Sequence, residues 1–344
     1  MPKDSINPDG RYSTHHLRLA WETMASGRML LIATHANPDA DAVASVLAVR
    51  LLLEGAGRTL VVTTGDGRVP RALHFLPAVD QLIEAKLTSE NRFDRIVLVD
   101  CADPSRLGPL FQEFPSWFDG SIPMVNIDHH VTNTRFGTVD LVDPDASATT
   151  EILTELVIEL GLPLTAALAT CLLTGIYGDT LGLQTSSTRP KTMRLAAHLL
   201  EAGANLPEIV THLFRQKPFS TVRLWGLALA RAHFEGPVVW TEITPEMLKE
   251  SGATAAEGEG IVNFLSGTEG ALAAIMFYQQ PDGWRVSLRS ASDAVDVARI
   301  ASQYGGGGHS RAAGCRLPPG EEARQAFLAT VARSLSDYAL AGDA

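Results

Sequence analysis

Three short apolar runs, Met29–Ala33, Arg95–Val99 and Ile122–Ile127, each give way at once to residues that bind metals or protons. After the first comes Thr34-His35-Ala36-Asn37-Pro38-Asp39-Ala40-Asp41, after the second Asp100, and after the third Asp128-His129-His130. Runs this short, β-branched and without polar alternation read as strands buried on both faces, the kind found in parallel sheets covered by helices. Helical stretches at Leu17–Ala25 and Ala42–Leu53 and a further strand-like run at Thr59–Thr63 alternate with them. The first half therefore predicts a doubly wound, mainly parallel α/β sheet. Ligands of open α/β sheets gather beyond the carboxyl ends of the strands, where all three clusters fall.

A fourth polar set, Tyr177-Gly178-Asp179-Thr180, ends a helix rich in Leu, Thr and Ile, and an aspartate against that background needs a partner. Alone, each cluster has a plain structural reading. Asp39-Ala40-Asp41 behind Pro38 could be a turn and helix cap, Asp100 a cap for a helix near Pro104, and Asp128-His129-His130 a solvated loop. Their joint placement at three strand ends favours a site. Imidazoles and carboxylates without thiolates suit Mn²⁺, Mg²⁺ or Fe²⁺ more than structural zinc. Five or six such ligands are too many for one catalytic ion with open positions. Two ions about 3.5–4 Å apart, sharing a carboxylate, use them all and clamp both reacting oxygens in phosphoryl displacement.

Helices dominate next. Ser147 stands where it would cap a helix through Leu160, followed by Leu164–Tyr177, Lys191–Ala202, Leu206–Arg215 and Val222–Ala232. Residues 191–225 read as a helical connector between a first domain, 1–190, and a smaller α+β domain, 226–344. The latter holds strand-like segments at Pro237–Ile243, Ala271–Tyr278 and Trp284–Leu288, a helix at Val295–Ser302, the glycine run Gly305–Gly308 and a closing helix, Glu321–Tyr338. A chain of 344 residues has room for two cores. Its formal charge of −11 argues against coating a long duplex, because such binding rests on neutralising many phosphates. A small anion held at bound cations remains compatible with it. The widely spaced Cys101, Cys171 and Cys315 predict neither a disulfide framework nor a thiolate zinc site. No apolar run reaches the roughly 18 residues of a membrane span. The polar stretch Met1–Arg11 lacks a signal peptide's apolar core, so a short disordered arm and a cytoplasmic location are expected.

The segments resemble the motifs of the DHH phosphoesterase family: H-x-x-P-D-x-D at His35–Asp41, an isolated Asp100, D-H-H at Asp128–His130 and G-I-x-x-D-T at Gly175–Thr180. The glycine run ending in His309 resembles the mark of the DHHA1 domain, and the two-domain pattern is similar to the NrnA-like subgroup of oligoribonucleases and pAp phosphatases. The resemblance implies one metal at His35, Asp39 and Asp100 and another at Asp41, Asp100, His129 and Asp179, with Asp100 as the bridge. It implies that His130 contacts the substrate phosphate and that Asp128 orients a ligating imidazole. Two divalent ions per chain follow, Mn²⁺ first and Mg²⁺ as the alternative. The implied reaction is hydrolysis of short oligoribonucleotides to mononucleotides, and of pAp to AMP, by a hydroxide bridging the ions. A cyclic-di-AMP or linear pApA phosphodiesterase using the same residues, and a nucleotide-binding sensor without turnover, stay open.

In the second domain Gly306, Gly307 and Gly308 would let backbone N–H groups approach a phosphate, with His309, Arg289 and Arg311 as side-chain partners. The substrate, short RNA or a nucleotide, is expected between the two domains, with no long duplex and no membrane as partner; a homodimer is left open. Two departures stand out. Ala40 replaces a usual glycine, and Leu181-Gly182-Leu183-Gln184 stands where an aromatic followed by a basic or polar residue is common. Neither removes a ligand.

Overall fold

The computed structural model describes residues 13–339 apart from 56, 84–86 and 293. The expected arm, Met1–Arg11, lies outside them. Two compact units divide between Gln216 and Lys217.

In the first unit β1 (Met29–Thr34), β2 (Thr59–Thr64), β3 (Arg95–Val99), β4 (Met124–Asp128) and β5 (Val139–Val142) form one parallel sheet in the order β2-β1-β3-β4-β5. With them come α1 (Thr14–Ala25), α2 (Ala40–Leu53), α3 (Val79–Ile83), α4 (Pro109–Glu113), α5 (Thr149–Glu159), α6 (Ala166–Asp179), α7 (Pro190–Glu201) and α8 (Leu206–Val210). Successive strand residues point to opposite faces. Leu30, Ile32, Val97, Val99, Val125 and Ile127 thus join α1, α2, α5 and α6 in one core. Leu31, Ala33, Ile96, Leu98 and Met124 form another with Leu107, Leu110, Phe114 and Trp117. Burial on both faces is why Met29–Ala33 of β1 and Ile96–Val99 of β3 are unbroken apolar runs.

The 191–225 stretch is shared between the units. Ala196 and Leu199 of α7 and Ile209 of α8 are buried in the first core, while α9 (Phe219–Leu229) places Leu224 and Ala228 in a core of the second unit. An apolar stripe along one face of each helix has to be covered, and the unit on that side takes it.

The second unit is a six-stranded sheet in the order β10-β11-β9-β8-β7-β6: β6 (His233–Glu235), β7 (Val238–Ile243), β8 (Ala273–Gln280), β9 (Gly283–Ser290), β10 (Gly307–His309) and β11 (Ala312–Leu317). Only the β7–β8 pairing among them is parallel. One face packs on α12 (Val297–Ser302) and α13 (Glu321–Ala339) through Phe277, Val286, Leu288, Ala313 and Cys315. The other packs Val239, Ala274, Met276 and Tyr278 with α9, α10 (Pro245–Ser251) and α11 (Ile261–Leu265).

Several sequence expectations shift. Leu206–Arg215 stops as an α-helix at Val210 and continues as one π-helical turn. The end of the glycine run is a strand, β10, and the short strands β5, β6 and β11 go unread in the sequence. Ser147 does not cap α5; Ala148 holds that position, and the Ser147 hydroxyl donates to Glu151 at 2.5 Å. The first amides of α5 are taken instead by Asp41, more than a hundred residues away in the chain. No helix among the described residues is long and apolar enough to cross a membrane.

Candidate metal centre

The carboxyl ends of β1, β3 and β4 deliver the three clusters to one place in the first unit. Beyond β1 the chain turns through Asn37 in the left-handed region (φ 55°), its amide held by Asp66 Oδ2 at 3.1 Å. Asp39 then caps α2, accepting from the Ala42 amide at 3.0 Å, and Asp41 follows in the first turn, fully buried. Asp100 itself adopts φ 53°, a conformation that short polar side chains tolerate better than most. Its amide is tied to Ile127 O of β4 at 2.9 Å. Asp128 is the last residue of β4, and Asp179 the last of α6.

The side chains converge on Asp100. His35 Nε2 lies 3.6 Å from Asp100 Oδ2, and His129 Nε2 lies 3.6 Å from Asp100 Oδ1 and 3.1 Å from Asp179 Oδ2. Three sets of ligand atoms, each within 4.8 Å of one another, result: His35, Asp39 and Asp100; Asp41, His129 and Asp179; and Asp100, His129 and His130. Asp100 and His129 each serve two sets. All six ligands expected from the sequence are therefore together.

The donor chemistry fits divalent cations. Burial, then the charges of Asp100 and Asp179, push the Asp41 carboxyl well above its ordinary range. Burial likewise pushes Asp179 up to about 6, although His129 donates to it. Burial would lower His129, but Asp179 and the charges of Asp41 and Asp100 outweigh it and carry the imidazole up to about 10. Carboxylates packed this closely hold protons to relieve their repulsion; a divalent cation relieves it directly and displaces them.

Supporting residues absent from the sequence reading fix these ligands. Thr149 N and Thr150 N donate to Asp41 at 2.6 and 3.1 Å, Thr150 Oγ1 to Asp41 at 2.7 Å, and Thr149 Oγ1 to Asp100 at 2.9 Å. Two consecutive threonines opening a helix behind Asp143-Pro144-Asp145 were the available signal. Asp128 accepts the backbone N–H of His129, and its Oδ1 lies 2.8 Å from His130 Nδ1, so the imidazole it orients is that of His130. Asn133 completes it, donating to Asp128 Oδ2 at 2.6 Å.

Helices α2 and α6 approach closely enough to bring Asp41 and Asp179 together because α6 carries two glycines on the facing side. A Cβ at Gly175 would stand 2.3 Å from Thr150 Oγ1 and 2.4 Å from Asp41 Oδ1, and one at Gly178 would stand 2.6 Å from Ala40 Cβ. The departure at Ala40 is thus accommodated by Gly178.

In the second unit Arg289 and His309 both sit opposite Ala312 of β11, on one face of the sheet and roughly 10 Å apart at ordinary strand spacing. Arg289 Nε donates to Asn263 Oδ1 at 2.7 Å. Two of the glycines have packing reasons: a Cβ at Gly306 would meet Gly314 O at 2.2 Å, and one at Gly308 would meet Ala312 O at 2.5 Å. Gly307 faces open space. Arg311 lies in the turn between β10 and β11, its carbonyl accepting from Ser290 N at 3.0 Å.

Comparison with known proteins gives concordant results. The pattern of the DHH family, N-terminal domain, matches residues 29–176, and that of the DHHA1 domain matches residues 236–337. The bifunctional oligoribonuclease and PAP phosphatase NrnA of Thermus thermophilus is 34% identical over 320 residues, 91% of this chain and 92% of that protein. The protein of the same name from Bacillus subtilis is 27% identical over 299 residues, 86% of this chain and 91% of its own length. The crystal structure of an exopolyphosphatase-related protein from Bacteroides fragilis shares the fold, with a TM-score of 0.81 at 20% identity over 95% of this chain and 97% of that one.

Proposed function

Because the chain belongs to the DHH family and carries a DHHA1 domain behind the DHH domain, we propose that it hydrolyses short oligoribonucleotides to mononucleotides, and pAp to AMP. The single observation that carries this reading is the sharing of Asp100 and His129 among three sets of ligand atoms. His35, Asp39 and Asp100 would hold one divalent cation, and Asp41, His129 and Asp179, with Asp100, a second. Oxygen-rich donors with two imidazoles favour Mn²⁺, with Mg²⁺ as the alternative. Such ions, when bound, supply Lewis acidity at the phosphoryl oxygens and acidify a water.

The chain's own residues do the rest. With Nδ1 held by Asp128, His130 offers Nε2 to a phosphoryl oxygen. The same Asp128 contact raises its pKa against the opposing effect of burial, which favours the proton-donating form. Thr149 and Thr150 hold Asp41 and Asp100 rigid, so the ligands are arranged before substrate arrives. Arg289 and His309 are the second unit's candidates for a substrate phosphate.

A panel of two- to twenty-nucleotide RNAs, pAp, pApA and cyclic dinucleotides, assayed with Mn²⁺ and time-resolved product analysis, tests the reading. Mononucleotides from the shortest RNAs and AMP from pAp are expected, with turnover falling as the RNA lengthens. Equal efficiency on twenty-nucleotide RNA, or turnover of cyclic dinucleotides alone, would overturn it.

A further inference from the structure

The sheet of the second unit has an open basic face that extends beyond Arg289 and His309. Along β9, Trp284, Val286 and Leu288 are buried, while Arg285 is exposed and Ser287 and Arg289 are half-buried. Along β11, Ala313, Cys315 and Leu317 are buried, while Ala312 and Gly314 are half-buried and Arg316 is exposed. The register sets Arg285 beside Arg316, Ser287 beside Gly314, and Arg289 beside Ala312. Gly307 and His309 of β10 extend the last two rows. The face thus carries three arginines and a histidine around a floor of small residues. The Arg285 guanidinium lies 4.5 Å over the ring of Tyr278, its partner across β8, which holds it to this side. A depression of about 520 Å³, bounded by Arg285, Ser287, Gly305, Gly306, Gly314 and Arg316, lies here. That volume is within the range of ligand sites. Two acids oppose the pattern: Asp282 Oδ2 is 3.5 Å from Arg316 Nη1, although both are exposed and such pairs are weak, and the charge of Glu259 acts on Tyr278 and Arg289.

We propose that this depression is a second nucleotide subsite, in which Arg285 and Arg316 take a phosphate further along a single strand than the one at Arg289 and His309. The proposal rests on the function proposed above and names what would let the enzyme prefer oligonucleotides over a lone nucleotide. At an ordinary strand rise Arg285 and Arg289 stand about 13 Å apart, about two nucleotide steps of an extended strand, a spacing suited to phosphates separated by one nucleotide rather than to neighbouring ones. The guanidinium groups supply paired donors, and the floor of Ser287 and Gly314, bordered by Gly305 and Gly306, lets a sugar or base lie against the sheet.

The test compares wild type with an Arg285→Gln, Arg316→Gln double variant on pAp and on a five-nucleotide RNA, across a salt series. The loss of two exposed charge contacts should lower kcat/KM for the RNA about 5- to 30-fold. Turnover of pAp should stay within about twofold, as for surface changes away from a contact. The RNA's log–log salt slope should become shallower by about 1.4, two phosphates at roughly 0.7 each. Fluorescence anisotropy of a labelled five-nucleotide RNA in chelator reads the same subsite without turnover, and the double variant should bind it more weakly. If the wild type hydrolyses none of these substrates, the proposed function falls while the anisotropy comparison still decides the subsite. An active wild type whose double variant loses pAp and RNA equally, or loses neither, or keeps its salt slope and RNA affinity, would overturn the subsite.

Discussion

Two glycine-to-alanine changes inside helices should move stability in opposite directions. Taken alone, alanine in a helix interior is better than glycine by about 0.8–1 kcal/mol. Gly226 of α9 has nothing within 4 Å of an added Cβ, so Gly226→Ala should realise most of that gain, about 0.5–1 kcal/mol. Gly175 of α6 is the opposite case. The new methyl would lie 2.3 Å from Thr150 Oγ1, 2.5 Å from Thr150 Cγ2 and 2.4 Å from Asp41 Oδ1. None of these can swing away cheaply, because Asp41 accepts from Thr149 N, Thr150 N and Thr150 Oγ1. Overpacking costs typically about 1–3 kcal/mol and occasionally more, and this contact belongs at the upper end. After the helix gain is subtracted, a net loss of about 1–3 kcal/mol remains. At about 2–4 °C per kcal/mol for a unit the size of the first, Tm should fall by roughly 2–12 °C for Gly175→Ala; at about 3–6 °C per kcal/mol for the smaller second unit, it should rise by roughly 2–6 °C for Gly226→Ala. Thermal denaturation followed by circular dichroism measures both, and calorimetric Mn²⁺ titration should show weakened binding only in Gly175→Ala. Equal stabilisation by the two changes would refute the claim that Gly175 is required by the approach of α6 to Asp41.

Asp100→Ala should abolish turnover and lower bound metal more than Asp39→Ala or Asp179→Ala, because Asp100 serves two ligand sets; metal analysis of the purified variants checks it. Asp128→Asn should lower kcat about 10- to 100-fold while metal content stays near wild type, since Asp128 holds the His130 ring, which the proposed function gives to the substrate phosphate, and not the rings of His35 or His129. Glu257 is held at about 2, against 4.5 ordinarily, by hydrogen bonds from Ser220 Oγ, Thr254 N and Thr221 Oγ1. A depressed carboxylate stabilises above its unfolded pKa and loses that contribution as pH falls through its folded value. Glu257→Gln should therefore be less stable than wild type at pH 6, and the difference should vanish as pH approaches 2 in denaturant titrations.

How far the sequence revealed this arrangement depends on which residues carried local signals. Four strands of the first unit, β1 to β4, were legible because burial on both faces makes them mainly apolar, and the candidate ligands were legible because each stood at a strand or helix end. Strand β5 was hidden by its length and by Asp140 within it, and β11 by Gly314 and Arg316, whose roles depend on register with β9. The grip of Thr149 and Thr150 on Asp41 joins positions more than a hundred residues apart, which no periodicity encodes. The fit of Ala40 against Gly178 is likewise visible only once α2 and α6 meet. The link from Asp128 to His130 rather than to the His129 ring turns on side-chain direction just past the end of β4, which spacing alone leaves undetermined.

The central claim is that the cluster around Asp100 performs phosphoester hydrolysis with bound divalent cations. It is tested most directly by stripping the purified protein with chelator, confirming its metal content by elemental analysis, and assaying dinucleotide hydrolysis before and after graded return of Mn²⁺. The account predicts no turnover in the stripped protein, recovery that saturates near two Mn²⁺ per chain, and little recovery with Ca²⁺. Full turnover by protein shown to be metal-free would contradict it.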